Sequence, residues 1–243
     1  MRTVAIVQAR MGSSRLPGKV LADLAGATML ARVVERLRAA HTIDDVAIAT
    51  SILGGDDAVA REAERIGAGV HRGSEHDVLA RFLGAAEEFS ADAIVRVTAD
   101  CPLLDAAVVD RVVGALGRDV DYASNTHERT YPRGLDVEAL HRDTLERMGR
   151  LGTSPAAREH VTAFVMEQPQ LFRVRQVRGE RDDSDLRWTV DTSEDLAMVR
   201  GLYAALVMPA PYDAVVAAVR ARPELAAANA HVTQKPWETA HVA

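Results

Sequence analysis

Three cations lie close together in a polar segment near the N-terminus. Arg10, Arg15 and Lys19 fall within residues 8–19, QARMGSSRLPGK, and the first 22 residues contain no Asp or Glu. Lys19 is one of only two lysines among 29 basic residues. Backbone amides and serine hydroxyls can donate hydrogen bonds to phosphate oxygens, while the cations neutralise their charge. The segment therefore suits a polyphosphate-binding loop, and a solvated surface loop is the alternative.

Two common nucleotide-binding patterns are absent from this segment. A dinucleotide fingerprint would need G-x-G-x-x-G after the first strand, which the sequence lacks. A P-loop has four residues between its glycines and a Ser or Thr after the lysine, whereas this segment has five residues and Val20. The sequence thus argues against a P-loop NTPase.

Two aspartates each follow an apolar run. Asp100 comes after residues 94–98, and a carboxylate at a strand end beside a phosphate loop is suited to holding Mg²⁺. Asp191 follows residues 188–190 and precedes a helix. Asp-Thr-Ser before a helix is also ordinary capping chemistry, and position alone favours capping for Asp191.

Strands and helices alternate through the first half of the chain. Apolar, β-branched runs predict strands at residues 3–7, 45–50, 69–71 and 93–98, and the intervening periodicity predicts helices after Thr28 and at about 56–66, 76–89 and 106–116. Such alternation indicates βαβ units and a mostly parallel sheet. In open α/β sheets the ligand lies beyond the carboxyl ends of the strands, where residues 8–19, 50–51 and 99–102 fall.

The second half is less regular. We predict strands at 121–124, 136–140 and 171–177, a helix over about 156–168, a charged loop at 178–185, and a helix starting at 192 or 193 with Ser193 as its cap. Residues from about 223 show no periodicity. The expected organisation is one domain over 1–222, with halves at 1–120 and 121–207, followed by a tail at 223–243.

Composition bounds the class of protein. The chain has 243 residues, a formal net charge of −6, and 48% hydrophobic residues, enough to form one sizeable core. The single cysteine, Cys101, excludes a disulfide framework. No apolar run approaches the roughly 20 residues of a membrane span. We expect a cytoplasmic protein that binds neither membrane nor nucleic acid, since nucleic-acid binders present a basic face.

Residues 8–19 are followed along the chain by five ordered blocks: residues 72–79 (RGSEHDVL), 98–103 (TADCPL), 129–136 (RTYPRGLD), 158–162 (REHVT) and 186–192 (LRWTVDT). The loop and these blocks resemble the cytidylyltransferase family, which includes acylneuraminate and 3-deoxy-manno-octulosonate cytidylyltransferases. The spore-coat-polysaccharide type is the most similar group. The resemblance covers about residues 3–207. It implies an α/β fold of the Rossmann-like nucleotidyltransferase (GT-A-like) type, with a mixed, mostly parallel sheet flanked by helices.

The resemblance also implies an activity. An acceptor oxygen would attack the α-phosphate of CTP, with Mg²⁺ as cofactor, to give a CMP-linked product and pyrophosphate. Asp100 and Asp191 match the two metal-binding carboxylates of the family, and Lys19, Arg10 and Arg15 are the expected catalytic cations. The expected CTP-binding residues are Gln8, Ala9, Arg10, Met11, Gly12, Ser13, Ser14, Arg15, Lys19, Ala49, Thr50, Arg72, Ser74 and Ala99.

The second half is expected to bind the acceptor. Its polar candidates are Asn125, Arg129, Tyr131, Arg133, Asp136, Glu159, His160 and Arg187. Arginine forks match carboxylates, phosphates and phosphonates, so the acceptor should be an anion such as a sugar acid, a sugar phosphate or a small phosphonate. Solvated surface arginines are the alternative, and His160 suits either a base or a structural hydrogen-bonding role.

Two other functions remain open from the sequence. A sugar-nucleotide-dependent glycosyltransferase shares this type of fold, but such enzymes commonly carry Asp-x-Asp, which is absent around Asp100. A non-catalytic nucleotide-binding module would need neither a second metal carboxylate nor a polar acceptor half. The family often pairs subunits, so a homodimer is possible.

Overall fold

The computed structural model describes residues 1–234. Its strands are β1 (Thr3–Gln8), β2 (Asp23–Leu24), β3 (Ala27–Thr28), β4 (Asp45–Ser51), β5 (Gly69–Gly73), β6 (Ala93–Thr98), β7 (Tyr122–Ser124), β8 (Glu138–His141) and β9 (Val174–Gln176). Its helices are α1 (Met29–Arg38), α2 (Asp57–Arg65), α3 (Val78–Glu88), α4 (Ala106–Gly114), α5 (Arg142–Leu151), α6 (Pro155–His160), α7 (Ala163–Glu167), α8 (Ser193–Ala205), α9 (Tyr212–Ala221) and α10 (Pro223–Ala227).

Seven strands form one mixed sheet in the order β5-β4-β1-β6-β8-β7-β9. Strands β5, β4, β1 and β6 are parallel neighbours, and β8 runs antiparallel to both β6 and β7. Strand β9 pairs with β7 in parallel. The predicted mixed, mostly parallel sheet is therefore confirmed. The carboxyl ends of β1, β4 and β6 meet at one edge, which positions the loops that carry the candidate site.

Alternating side chains of β1 enter different cores on the two faces of the sheet. Ala5 and Val7 pack in the core that includes α1, α4 and α8, while Val4 and Ile6 pack in the core beneath α3 and α5. All four are fully buried. A central parallel strand covered by helices on both faces reads as a continuous apolar run for this reason. Among the described helices none is long and apolar enough to cross a membrane.

The second half differs from its predicted elements in three places. Helix α5 was not predicted, because its sequence RDTLERMGRL buries only Thr144, Leu145 and Met148 and so shows a short apolar stripe. The predicted helix at 156–168 is broken into α6 and α7 at Val161, whose φ is +56°. Helix α8 is capped by Thr192 and not by Ser193, in a capping box with Asp195.

The C-terminal residues also form defined elements. Helices α9 and α10 were not predicted; Val215 and Val219 of α9 are buried in the core, and Leu225 of α10 packs against it. Asn229 beyond them is 2% exposed. The predicted tail at 223–243 thus includes a packed segment up to residue 234, and the rest of it, residues 235–243, lies outside the described residues.

Candidate active site

The loop after β1 folds back on itself and directs Lys19 inward. The carbonyl of Met11 accepts hydrogen bonds from the amides of Ser13 and Gly18, at 2.9 and 3.0 Å. Gly18 has a φ of +72°, a left-handed conformation that glycine adopts at little cost, and it precedes a 3-10 helix that starts at Lys19. The reversal lets the lysine side chain enter the protein.

Lys19 lies between the two candidate metal carboxylates. Its Nζ donates to Oδ2 of Asp100 at 2.8 Å and to Oδ1 of Asp191 at 2.9 Å, and its side chain is 10% exposed. The carbonyl of Val190 accepts a third hydrogen bond at 2.7 Å. Burial acts to lower the pKa of Lys19, but the charges and hydrogen bonds of the two carboxylates outweigh it and raise the pKa. The group is an ammonium cation at neutral pH.

Asp191 is surrounded by cations. Its Oδ2 accepts from Nη2 of Arg15 at 2.9 Å and from Nη2 of Arg187 at 2.8 Å, in addition to the Lys19 contact. Burial acts to raise the pKa of this carboxyl, and Lys19, Arg15 and Arg187 together bring it below its usual value. The capping alternative for Asp191 is not supported, because Thr192 caps α8.

Asp100 is oriented from its own strand end. The Thr98 hydroxyl donates to Oδ1 of Asp100 at 2.6 Å, which leaves Oδ2 toward Lys19. Cys101 lies beside it with a buried thiol, and burial, with the nearby Asp100 and Asp136 charges, raises the pKa of that thiol. Cys101 is thus a packing residue beneath the site, because only a thiolate would be nucleophilic.

The donor set of Asp100 and Asp191 fits Mg²⁺. Both carboxylates direct an oxygen at one point, the position of the Lys19 ammonium, and carboxylate oxygens are the hard ligands that Mg²⁺ prefers. Within residues 1–234 no group of three or more His, Cys, Asp or Glu side chains is arranged for a metal. A pair of carboxylates such as Asp100 and Asp191 suits an ion that is held by one or two protein carboxylates together with substrate phosphates.

Asp56 anchors the first loop and was missed in the sequence analysis. Its Oδ1 accepts from the Met11 amide at 2.7 Å, and its Oδ2 accepts a short hydrogen bond from the Ser51 hydroxyl. The residue is 4% exposed. It ties the loop after β1 to the end of β4. An aspartate before a helix looks like a cap in sequence, which conceals this role.

The predicted nucleotide-pocket residues occupy the ends of β4, β5 and β6. Ala49, Thr50 and Ala99 are buried, and the Thr50 hydroxyl has no hydrogen-bond partner within residues 1–234. Arg72 donates to the carbonyls of Ser51 and Leu53 and pairs with Asp57 at 2.7 Å. Its guanidinium therefore holds the loop after β4.

Arg10 lies apart from the Lys19 cluster. It borders a cleft of about 410 Å³ with Ser74, and its guanidinium is 3.7 Å from the carboxylate of Glu75. Glu159, which was predicted to bind the acceptor, lines the same cleft. The predicted loop cations are thus divided, since Arg15 and Lys19 contact Asp191 while Arg10 faces this cleft.

A cavity of about 510 Å³ opens beside β6 and contains half of the predicted acceptor residues. The predicted ones are Arg129, Arg133, Asp136 and His160, and the walls also include Arg96, Thr98, Thr126, His127, Glu138 and Thr162. Thr98 connects this cavity to the Lys19 cluster, because its hydroxyl binds Asp100. The five side chains Arg96, Thr126, His127, Glu138 and Thr162 were not predicted, since their strand and loop positions resemble core or surface residues.

Two of the cavity's arginines are paired with carboxylates and one is not. Arg129 binds Asp136 through both Nη atoms, and Arg96 pairs with the buried Glu138. Arg133 is half-buried, and within residues 1–234 its guanidinium has no hydrogen-bond or ion-pair partner. Burial, with Arg129 and Arg187 nearby, lowers the pKa of Arg133. The cavity therefore carries one uncompensated positive charge.

The backbone at Arg133 is fixed by a close approach of two segments. Its amide donates to Leu186 and its carbonyl accepts from the amides of Trp188 and Thr189. Gly134 has a φ of +106°, and a Cβ there would lie 2.5 Å from the Thr189 nitrogen. Only glycine fits this position, so the arginine is held against the segment that carries Asp191.

Three other predicted acceptor residues lie outside this cavity. Asn125 is buried, and its amide side chain binds the Leu135 carbonyl and the Val137 amide. Tyr131 is buried and lines a different cavity with Tyr212, where its hydroxyl accepts from Arg111. Arg187 is 9% exposed, and its guanidinium is bound by protein acceptors. In this structure Asn125 and Arg187 hold segments of the chain.

The chain is similar to known proteins in both sequence and structure. The sequence model of the family described as "Cytidylyltransferase" matches residues 4–208. The spore coat polysaccharide biosynthesis protein SpsF of Bacillus subtilis is 35% identical over 208 residues, covering 82% of this chain and 85% of that protein.

Two solved structures extend the comparison. A cytidylyltransferase from Leptospira borgpetersenii superposes with a TM-score of 0.90 at 31% identity, covering 97% of this chain and 100% of the other. A CMP:2-keto-3-deoxy-manno-octonic acid synthetase complexed with CTP superposes with a TM-score of 0.64 at 22% identity, covering 84% and 99%. The second likeness shows a shared fold.

Proposed function

The chain belongs to the cytidylyltransferase family, and from that premise we propose that it transfers CMP from CTP to an anionic acceptor and releases pyrophosphate. The observation that carries the proposal is the position of Lys19, at 2.8 and 2.9 Å from the carboxylates of Asp100 and Asp191. A cation between two carboxylates at the carboxyl end of a parallel sheet is where a nucleoside triphosphate and its counter-ion would bind.

The proposed step is a substitution at the α-phosphorus. An acceptor oxygen forms a bond to that phosphorus while the bond from the α-phosphorus to the bridging β-phosphate oxygen breaks. Pyrophosphate leaves with the bonding electron pair, and the proton of an attacking hydroxyl passes to solvent. Phosphoryl-type transfer depends on positioning and charge stabilisation more than on covalent help from the protein.

Lys19 and Arg15 supply the cationic charge in this proposal. Lys19 is held as an ammonium by two carboxylates, so it donates hydrogen bonds and does not accept a proton. Arg15 reaches the same carboxylate, Asp191, from the loop. Cations aimed at the charge that develops on the phosphates lower the barrier to transfer.

The carboxylates of Asp100 and Asp191 suit a hard divalent cation such as Mg²⁺. Asp100 and Asp191 would hold it, and when bound it would neutralise charge on the phosphate oxygens and polarise them. In the structure Lys19 lies at the point where the two carboxylates converge. We therefore expect the Lys19 ammonium to move from this point toward the phosphates when the metal and nucleotide bind together.

The acceptor is proposed to bind in the cavity beside β6. Arg133 gives this cavity an unpaired positive charge, and Thr98 joins it to Asp100. His127 lines the wall with an Nε2 that has no partner in the described part of the chain, and burial lowers the pKa of its imidazole. A neutral imidazole and a free guanidinium suit an acceptor with one anionic group and a hydrogen-bonding group.

The alternative functions are less consistent with these residues. A glycosyltransferase would not require a lysine-bearing loop between the two carboxylates. A non-catalytic nucleotide-binding module would not require the cationic cavity beside them. The homodimer and the cytoplasmic location remain predictions from the sequence.

Pyrophosphate release tests the proposal. Purified protein is incubated with Mg²⁺, each of the four nucleoside triphosphates in turn, and a panel containing a sugar acid, a sugar phosphate and a small phosphonate. We expect pyrophosphate with CTP and at least one anionic acceptor, in amounts equal to a CMP-linked product. If no triphosphate releases pyrophosphate, and a sugar nucleotide supplied instead of the triphosphate is consumed, the glycosyltransferase is favoured.

A further inference from the structure

The C-terminal extension, residues 209–234, follows the part of the chain that the family sequence model matches. Its helices α9 and α10 pack on the core next to α8. The chain then turns back toward Asp191, although the extension lies outside the five blocks that resemble the family. Two side chains of the extension, Asn229 and Gln234, connect it to the candidate active site.

Asn229 is a buried polar residue in an otherwise exposed stretch. It is 2% exposed, whereas Ala228 and Ala230 on either side are exposed. Its Nδ2 donates to the carbonyl of Arg187 at 3.1 Å and to Oδ1 of Asp195 at 2.8 Å. Both amide hydrogens are therefore used, which an apolar or acidic residue could not reproduce.

Asp195 and Arg187 connect Asn229 to the candidate metal carboxylate. Asp195 is fully buried and accepts from the Arg187 guanidinium at 2.9 and 3.1 Å and from the Asp191 amide at 2.9 Å. Arg187 donates in turn to Oδ2 of Asp191 at 2.8 Å. The carboxylate of Asp191 is thus held by a side chain whose own position the extension fixes.

Gln234 is the second contact of the extension. Its Oε1 accepts from Nη1 of Arg187 at 2.7 Å. It also lines the cavity beside β6 and a cavity of about 400 Å³ beneath the extension. Every nitrogen of the Arg187 guanidinium is therefore occupied by Asp191, Asp195 or Gln234, and two of the residues that fix Arg187 belong to the extension.

We infer that the C-terminal extension is part of the active site, with Asn229 and Gln234 as positioning residues that hold Arg187 and, through it, the carboxylate of Asp191. The inference rests on the proposed function. It adds to the active site two residues from beyond the family-matched segment, and it explains why an amide side chain is buried there. Loss of a residue that hydrogen-bonds directly to a metal ligand, as Arg187 does to Asp191, commonly lowers metal affinity 10- to 100-fold.

Metal binding measured directly is the test. Wild-type protein, Asn229→Ala and Gln234→Ala are titrated with Mn²⁺ in the presence of CTP, and free Mn²⁺ is followed by electron paramagnetic resonance. We expect each variant to bind Mn²⁺ about 5- to 10-fold more weakly, below the range for direct partners because one residue intervenes. Thr233→Ala, at an exposed neighbouring position, should bind like the wild type.

A coupling measurement separates positioning from general destabilisation. In an Arg187→Lys background, Asn229→Ala should cause a much smaller loss of Mn²⁺ affinity, because residues that act through one contact are not additive. Should Asn229→Ala fail to fold, Gln234→Ala remains informative, since Gln234 is half-exposed and its removal takes no side chain from the core.

The outcomes distinguish this inference from the proposed function. Folded Asn229→Ala and Gln234→Ala variants with Mn²⁺ affinities within twofold of the wild type would overturn the inference, even if the enzyme makes a CMP-linked product. A wild-type protein that binds no Mn²⁺ with CTP would overturn it too. Loss of Mn²⁺ affinity in both variants, in a protein that releases no pyrophosphate, would support the inference and contradict the transfer reaction.

Discussion

The Nζ atom of Lys19 lies 2.9 Å from a carboxylate oxygen of Asp191, although the two residues are 172 positions apart in the chain. A second carboxylate, Asp100, is 2.8 Å from the same nitrogen. The loop after β1, the end of β6 and the segment before α8 therefore converge on one ammonium group.

Lys19→Ala should remove most of the catalytic activity. The ammonium is proposed to stabilise charge on the transferred phosphate, and loss of one fixed donor typically lowers kcat about 10²- to 10³-fold. Pyrophosphate release at saturating CTP and acceptor measures the change, and circular dichroism checks that the sheet has formed. Turnover close to that of the wild type would show that this loop does not carry the reaction.

Asp100→Asn should abolish metal-dependent turnover. The substitution keeps the size of the side chain but removes the charge that Lys19 and the metal would share. Activity is measured across a range of Mg²⁺ concentrations. Asp143→Asn, at an exposed position in the first turn of α5, serves as the matched control. An unchanged Mg²⁺ dependence in Asp100→Asn would refute the metal role.

Asp56→Ala should weaken the binding of CTP more than the rate of transfer. It removes the acceptor for the Met11 amide and the Ser51 hydroxyl, so the phosphate loop loses its link to β4. We expect about a 10-fold rise in KM for CTP, in line with the loss of hydrogen bonds to a charged group. Asp56→Asn retains an oxygen for Met11 and should have a smaller effect. Equal KM values in both variants and the wild type would exclude the anchoring role.

Arg133→Gln should raise the KM for the acceptor and leave the KM for CTP unchanged. Hydrogen bonds to charged groups contribute about 1.5–3 kcal/mol, which corresponds to a rise of roughly 10- to 150-fold. Steady-state kinetics with each substrate varied in turn measures the difference. Arg118→Gln, an exposed arginine near the end of α4, is the control. A variant with an unchanged acceptor KM would place the anion elsewhere.

Asp121→Asn should lower stability at neutral pH and much less in acid. Burial acts to raise the pKa of Asp121, but the side chain and amide of Arg173, with Arg147, lower it to about 2. A carboxyl whose pKa is lower in the folded protein than in the unfolded chain stabilises the fold at pH values above the unfolded pKa, which is about 4. This stabilisation is lost as the pH falls toward the folded pKa of about 2. From the linkage between pKa and stability, we expect Asp121→Asn to lower the free energy of unfolding by about 2 kcal/mol at pH 7.

Urea unfolding at pH 7 and pH 3 measures this difference for Asp121→Asn. The difference in unfolding free energy between the variant and the wild type should narrow at pH 3, because there the Asp121 carboxyl of the unfolded chain, with a pKa of about 4, is largely protonated while the folded carboxyl is still ionised. An equal difference in unfolding free energy at both pH values would contradict the lowered pKa of Asp121.

The parts of the site that could be predicted from the sequence are those that depend on which loop follows which strand. A buried strand followed by a polar loop places Lys19 at the carboxyl edge of the sheet, and the end of β6 places Asp100 there too. The direction of single side chains could not be predicted in this way. Tyr131 and Arg133 are two residues apart in the chain, yet they line different cavities.

Residues that act through long-range contacts were beyond the sequence analysis. Asp56 looks like a helix cap, and Asn229 lies in a stretch without periodicity, so neither position has a local pattern that reveals its buried partners. The break at Val161 is likewise absent from the apolar periodicity. Such features depend on which segments meet in the folded protein.

The position of the bond that is broken in CTP tests the central claim most directly. Protein, Mg²⁺ and an accepted anion are incubated in parallel with CTP labelled with ³²P at the α-phosphate and at the γ-phosphate, and the products are separated. Cytidylyl transfer at Lys19, Asp100 and Asp191 predicts that the α label enters the acceptor adduct and the γ label enters pyrophosphate. Recovery of the γ label in the acceptor, or of both labels in unreacted CTP with every acceptor, would contradict the account.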